Sequence, residues 1–213
     1  MSGVNKKCRP GNPTVAEQGR LSSENRDTIR EAKLDYLIAH PLRRDADSKY
    51  LLDRCGESLR QARQEDRKVV LAAAMYAERP DDHFAVPYDP EIAQTSREGR
   101  QRRLAKADAA IDEILERLRK AKDPTVRKRG RKLTTEGAQL KIHDYLRDHD
   151  LGRLYGVRLD KSMPLGLSVV ANTEARTFEE SIDGILIVEG SRRDFTATQI
   201  VERSKSLAEI ERS

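Results

Sequence analysis

Apolar residues in this chain fall into short blocks whose spacing alternates between strand-like and helical, separated by polar, turn-forming stretches. Positions 34–39 read as a strand that Pro41 stops, and 68–76 and 84–88 read as two more, with Pro87 marking an edge or a strand end. Positions 157–160 and 167–171 form two short strand patterns. Ile185 to Val188 is an unbroken aliphatic, β-branched run behind the turn dipeptide Asp183-Gly184, as expected of a central strand buried on both faces. Helical spacing appears over 23–32, with Leu21, Asn25, Ile29 and Ala32 on one side, and over 45–65, with Leu51, Leu52, Cys55 and Leu59. Leu104, Ala107, Ile111, Ile114 and Leu118 recur at steps of three and four, predicting a long helix over 95–121 that Asp123-Pro124 ends. That seam covers little more than two heptads, which favours a contact within the chain over a coiled-coil dimer. A further helix is predicted from Thr134 or Thr135 to Asp148, whereas residues 1–14 read as an irregular lead-in.

The last helix is announced by Thr196 and Gln199, which fit a capping box. Ile200, Val201, Ser204, Leu207, Ala208, Ile210 and Glu211 then share one half of the helical wheel. A carboxylate centred on an apolar stripe is costly to bury unless a base, backbone donors or a divalent metal pairs with it. Glu211 is also third from the last residue, where it can turn to solvent. Both readings satisfy the pattern.

Composition narrows the class. A hydrophobic fraction of 37% and an aromatic fraction of 4% argue against a large single core. Cys8 and Cys55 lie too far apart to announce a disulfide framework or a zinc site, which fits a reducing, cytoplasmic setting. No apolar run is long enough to span a membrane and no signal peptide is apparent, so no membrane partner is expected. The net charge of +5 is modest, but residues 100–132 hold thirteen basic against five acidic side chains. That stretch ends in Arg127, Lys128, Arg129, Gly130, Arg131 and Lys132, a loop suited either to phosphate contact or to simple solvation. His143 and His149 stand among Asp144, Asp148 and Asp150, yet six residues apart on a helix they face different sides. No Gly-rich phosphate loop, catalytic Ser-His-Asp order or zinc-finger spacing appears.

Two regions resemble the core of bacterial insertion-sequence DDE transposases of the Tyr, Arg or Leu, Glu, Lys signature type. At the C-terminal end, Asp183-Gly184-Ile185-Leu186-Ile187-Val188 and the helix carrying Ser204, Leu207 and Glu211 resemble the family's last strand and its catalytic-Glu helix. Ser204 stands where the family has Tyr, and the Lys expected seven residues beyond Glu211 would fall past Ser213. Near the other end, Val15-Ala16-Glu17-Gln18-Gly19, Leu21-Ser22, Leu34-Asp35-Tyr36-Leu37 and Arg43-Arg44 resemble the segment around the second catalytic acid. Here Glu17 replaces Asp and Gln18 replaces Arg.

The resemblance implies an α/β fold: a partial RNase H-like core with a large α+β insertion between the second and third acidic positions. It divides the chain into the lead-in at 1–14, core at 15–65, insertion at 66–175 and a return to the core at 176–213. It also implies two-metal phosphoryl transfer on DNA with Mg²⁺, which needs three carboxylates. Glu17 and Glu211 supply the second and third, as catalytic and metal-binding residues, and residues 1–16 hold no Asp or Glu for the first. The expectation is therefore an inactive C-terminal-half fragment, with DNA, an intact transposase or a second copy as partners. Arg43, Arg44, Arg127, Lys128, Arg129, Arg131 and Lys132 are the expected DNA contacts. The rival expectation is a non-enzymatic basic DNA-binding or regulatory protein. If the 127–132 loop contacts phosphates, replacing its five basic residues with Ala weakens non-specific duplex binding and flattens the plot of log affinity against log salt; an unchanged slope assigns the loop to solvent.

Overall fold

The computed structural model describes residues 14–16, 28, 36–43, 46–74, 83–125, 132–191 and 194–210. They form a mixed α/β chain in two units, one made of Met1–Gln94 with Gly184–Ser213 and the other of Thr95–Asp183. The predicted helix over 23–32 lies outside the described residues except for Thr28, which is helical.

The first unit is built on a five-stranded sheet of order β1-β2-β7-β4-β3. Its strands are β1 (Thr14–Ala16), β2 (Tyr36–Ala39), β3 (Val69–Ala74), β4 (His83–Tyr88) and β7 (Val188–Gly190). β1 and β2 are parallel and the other neighbours antiparallel. Alternation of side chains gives the sheet two apolar faces. On one, Phe84, Val86, Tyr88, Ile185 and Ile187 pack with Leu51, Cys55, Leu59 and Ala62 of α1 (Ala46–Gln64), whose buried residues recur at helical spacing. On the other, Leu37, Ala85 and Val188 meet Ile200 and Val201 of the last helix, which spans Ala197–Ile210. Each fully buried Leu, Ile or Val side chain contributes about 1.5–3 kcal/mol of hydrophobic stabilisation. The two strand patterns at either end of the sequence thus share one sheet, and the last helix lies against it.

Three details differ from the sequence reading. The central strand is Val188–Gly190, with Ile185 making only an isolated bridge to Tyr88. β2 ends at Ala39 and its last backbone bond on this side is from His40 N to Ile187 O, so only residues from 188 onward find a strand on both sides. β4 is an interior strand despite Pro87. Pro87 O accepts from Leu186 N, so the side of Pro87 that lacks an N–H faces a stretch where regular β4–β7 pairing has already ended, and the ladder to β3 loses nothing. Finally, the units divide at 94/95 and 183/184 rather than at 66 and 175; β3 and β4, which the resemblance counts within the insertion, join one end of the sheet, as additions to its edge are expected to do.

The chain leaves the sheet along α2 (Pro90–Lys122), which begins five residues before the predicted start. Asp89 caps it, accepting from Glu91 N at 3.0 Å, and Pro90 occupies the first helical position, where a missing N–H costs nothing. In the second unit Ala107, Ile111 and Leu118 bury their seam against Ala138, Ile142 and Leu146 of α3 (Thr135–Asp148), a contact within the chain. Thr134 caps α3 by accepting from Gly137 N. The same core takes Leu154 from a 3-10 turn, Tyr155 of β5 (Tyr155–Leu159) and Leu167 of β6 (Leu167–Ala171). The two strands pair as an antiparallel ribbon. A helix without a predicted counterpart, α4 (Thr173–Ser181), follows; its signal is Asn172, which accepts from Ala175 N at 3.1 Å. The last helix, Ala197–Ile210, is therefore α5, and Thr196 and Gln199 form the expected capping box through reciprocal bonds of 2.8 and 3.2 Å.

Return to the sheet depends on Gly184. Its φ is +73°, and a Cβ there would lie 2.5 Å from Asp89 O and 2.7 Å from Ala93 Cβ. Gly184→Ala is therefore expected to cost about 2 kcal/mol or more in urea unfolding. Gly56→Ala, in α1 with nothing within 4 Å of the new methyl, is expected to add about 0.5–1 kcal/mol. Equal effects of the two substitutions would contradict this account of the turn.

Candidate functional site

Most of the site expected from sequence, namely Glu17, Arg44, Arg127, Lys128, Arg129, Arg131 and Glu211, lies outside the described residues. Glu17 follows the last residue of β1 in sequence, and Glu211 follows the last residue of α5. Of the remaining two, Arg43 is exposed after β2, and Lys132 is exposed before α3 with no ion pair among the described residues. The expected arc of α5 buries Ile200 and Val201, with Ser204 half-buried.

What the sheet does assemble is a buried polar cluster that sequence reasoning missed. Glu189 sits on the central strand directly between Ile38 of β2 and Phe84 of β4. Tyr36 and His40 lie two residues to either side of Ile38, so all three project to the face covered by α1. Tyr36 donates its hydroxyl to Glu189 Oε1 at 2.9 Å, and His40 Nε2 lies 2.7 Å from Glu189 Oε2. Exposure is 2% for Tyr36, 4% for His40 and 0% for Glu189. The Phe84 ring meets the His40 ring edge-on, with centroids 5.5 Å apart. Both carboxylate oxygens are engaged, which meets the requirement for burying an acid. Enclosed this completely, the cluster fastens β2 to β7 and offers no surface to a substrate. The only sequence signal was an acid directly after an aliphatic run; the Ile38–Glu189 register that gives it partners is not visible in one dimension.

The second unit carries its own buried ion pairs. Arg100 donates to Asp183 Oδ1 at 2.6 Å and more distantly to Glu179 O, and the Asp183 carboxylate holds the Arg100 proton more firmly than usual. Arg153 grips Glu179 through Nε and Nη2 at 3.0 and 2.9 Å. Tyr155 donates to Asp108 Oδ1 at 2.7 Å; burial, reinforced by that bond, pushes its hydroxyl far above the ordinary phenol range. These pairs tie α2, the 3-10 turn, β5 and α4 together; the guanidinium of Arg176, from α4, lies 4.8 Å over the Tyr155 ring, and among the described buried atoms of this unit Asp183 Oδ2 and Arg176 Nε lack a hydrogen bond. His149 stacks on Tyr145 at 4.2 Å and bonds its carbonyl, away from any shared ligation with His143. Among the described residues no three His, Cys, Asp or Glu side chains gather as a metal site, and no helix is long and apolar enough to cross a membrane.

Comparison of the chain with models of protein families, with curated proteins and with solved structures finds no match.

Removing one partner of a buried charge network strands the others. Glu189→Ala leaves Tyr36 and His40 without their acceptor and is expected to cost about 3–5 kcal/mol in urea unfolding, with Glu189→Gln losing less because it keeps an acceptor for Tyr36. A loss under about 1 kcal/mol for the Ala variant would show that the cluster does not secure the sheet.

Proposed function

We propose that this chain is a DNA-binding piece of a DDE-type transposase core, running from the second acidic position to the third, that does not cut DNA. The observation that supports the reading is topological. β1, which Glu17 follows, and α5, which Glu211 follows, belong to one unit although almost the whole sequence separates them. The parallel β1–β2 pair, with helical Thr28 in the connection, is the arrangement a strand-helix-strand unit of an RNase H-like core requires. The strands β7, β4 and β3 then extend the sheet on the β2 side.

The missing chemistry follows from the residues at the matched positions. Mg²⁺ of a two-metal site takes hard oxygen ligands and stabilises the charge that develops on transferring phosphate. Glu17 and Glu211 are the carboxylates at the two matched positions, and no catalytic step is assigned to them. Glu17 is also one methylene longer than the Asp it replaces, and a misplacement of about 1 Å can cost on the order of a hundredfold in rate. Gln18 in place of Arg and Ser204 in place of Tyr remove two more of the family's polar groups.

The alternative is a non-enzymatic basic DNA-binding or regulatory protein, which shares the partner. Incubating the purified chain with supercoiled plasmid and Mg²⁺ or Mn²⁺ is expected to give no nicked product, with or without Glu17→Asp. Metal-dependent nicking that Glu211→Ala abolishes would overturn the inactive reading.

A further inference from the structure

The net charge of this protein is not spread over the molecule. Residues 95–183 hold 20 of the 41 Lys and Arg and 15 of the 36 Asp and Glu, which leaves 21 of each sign elsewhere. The sheet unit is therefore formally neutral, and the whole excess of +5 belongs to the second unit.

Within that unit, contacts along the helix or to other elements engage most of the cations of α2, Arg97 among them. Arg100 is buried against Asp183. Arg117 pairs with Glu113, and Arg119 and Lys120 with Glu116. Lys122 is held by Leu165 O. Arg102, Arg103 and Lys106 remain: all three are exposed, and none of their side chains makes an ion pair or hydrogen bond among the described residues. The sequence from Gly99 to Ala107 contains no acid, and the next one, Asp108, is already engaged by Tyr155. Arg102 and Lys106 lie one turn apart, about 6 Å along the helix, with Arg103 beside them. Three uncompensated charges in so short a span concentrate the field of the unit at one place on α2.

We propose that this face of α2 grips the phosphodiester backbone of a nucleic acid without reading its sequence. The proposal rests on the DNA-binding reading above and deepens it, because it names the contact residues and moves the grip from the expected loop onto a rigid helix. A membrane surface fits the same charges poorly. An interfacial helix needs a broad apolar face free to enter the lipid, and the apolar seam of α2 is buried in the core of its own unit. DNA and RNA share the phosphodiester chemistry, and the test separates them.

The full chain is titrated by fluorescence anisotropy into a labelled duplex DNA and a labelled single-stranded RNA of unrelated sequences, over a series of salt concentrations. The triple variant Arg102→Ala, Arg103→Ala, Lys106→Ala keeps good helix formers on an exposed face, and its far-UV circular dichroism is expected to match the parent. Its slope of log affinity against log salt is expected to be shallower by about 2.7 on duplex DNA, or about 2.1 on a single strand, if all three contact phosphates. The substrate on which that change appears identifies the nucleic acid. Arg102→Lys with Arg103→Lys is expected to keep the parental slope, because a phosphate contact requires charge and not a guanidinium fork. Parental affinity and slope in the triple Ala variant would overturn the proposal while leaving DNA binding to the 127–132 loop. Failure of the parent chain to bind either nucleic acid would overturn both this proposal and the function proposed above.

Discussion

The pairing of β2 with β7 is the constraint on which the first unit depends, and Glu189 sets its register. A carboxylate with no exposure must find donors. Here they are Tyr36 and His40, placed diagonally about the Ile38–Glu189 pair. A slip of one residue would turn Glu189 to the opposite face, against Ile200 and Val201, and bring Val188 and Gly190 under α1. A larger residue at Gly190 on its present face would have to push Ile200 aside, since that side chain stands 3.1 Å from where a Cβ would be. Polar satisfaction on one face and close helix packing on the other select the same register.

From that register the two-sided architecture follows. β7 enters between β2 and β4, so strands from opposite ends of the chain share one ladder, and each face is then closed by one of the helices α1 and α5. Closing so long a loop costs little more than closing one of moderate length, because the entropy grows only with the logarithm of length. The intervening residues 95–183 can thus leave the sheet and bury a core of their own. They leave through a helix capped by Asp89 and return through the turn at Gly184, whose carbonyl accepts from Asp89 N.

The candidate site was legible only in part. The resemblance nominated Glu17 and Glu211 by motif position, and the basic stretch 100–132 was visible as a count. A count does not distinguish Arg100, neutralised by Asp183 from 83 positions away, from Arg102 two residues later, which has no counter-charge among the described residues. Likewise an acid after an aliphatic run looks like the end of a strand until its neighbours across the sheet are known, and Glu189 turned out to be the centre of one.

What the amino-acid sequence determined by itself is what local physics controls. The helical spacing of Leu51, Cys55 and Leu59 placed α1, the seam of Ala107, Ile111 and Leu118 placed α2, and the capping pair Thr196 and Gln199 started α5 where expected. Periods and caps act within one or two turns, so they are readable from neighbours in the chain. The tertiary structure alone decided that Pro87 sits in an interior strand, that the central strand begins at Val188, that the two units divide at 94/95 and 183/184, and which charges are buried. Each of these depends on which partner supplies hydrogen bonds or counter-charges from tens of residues away or more. No local period encodes the identity of that partner.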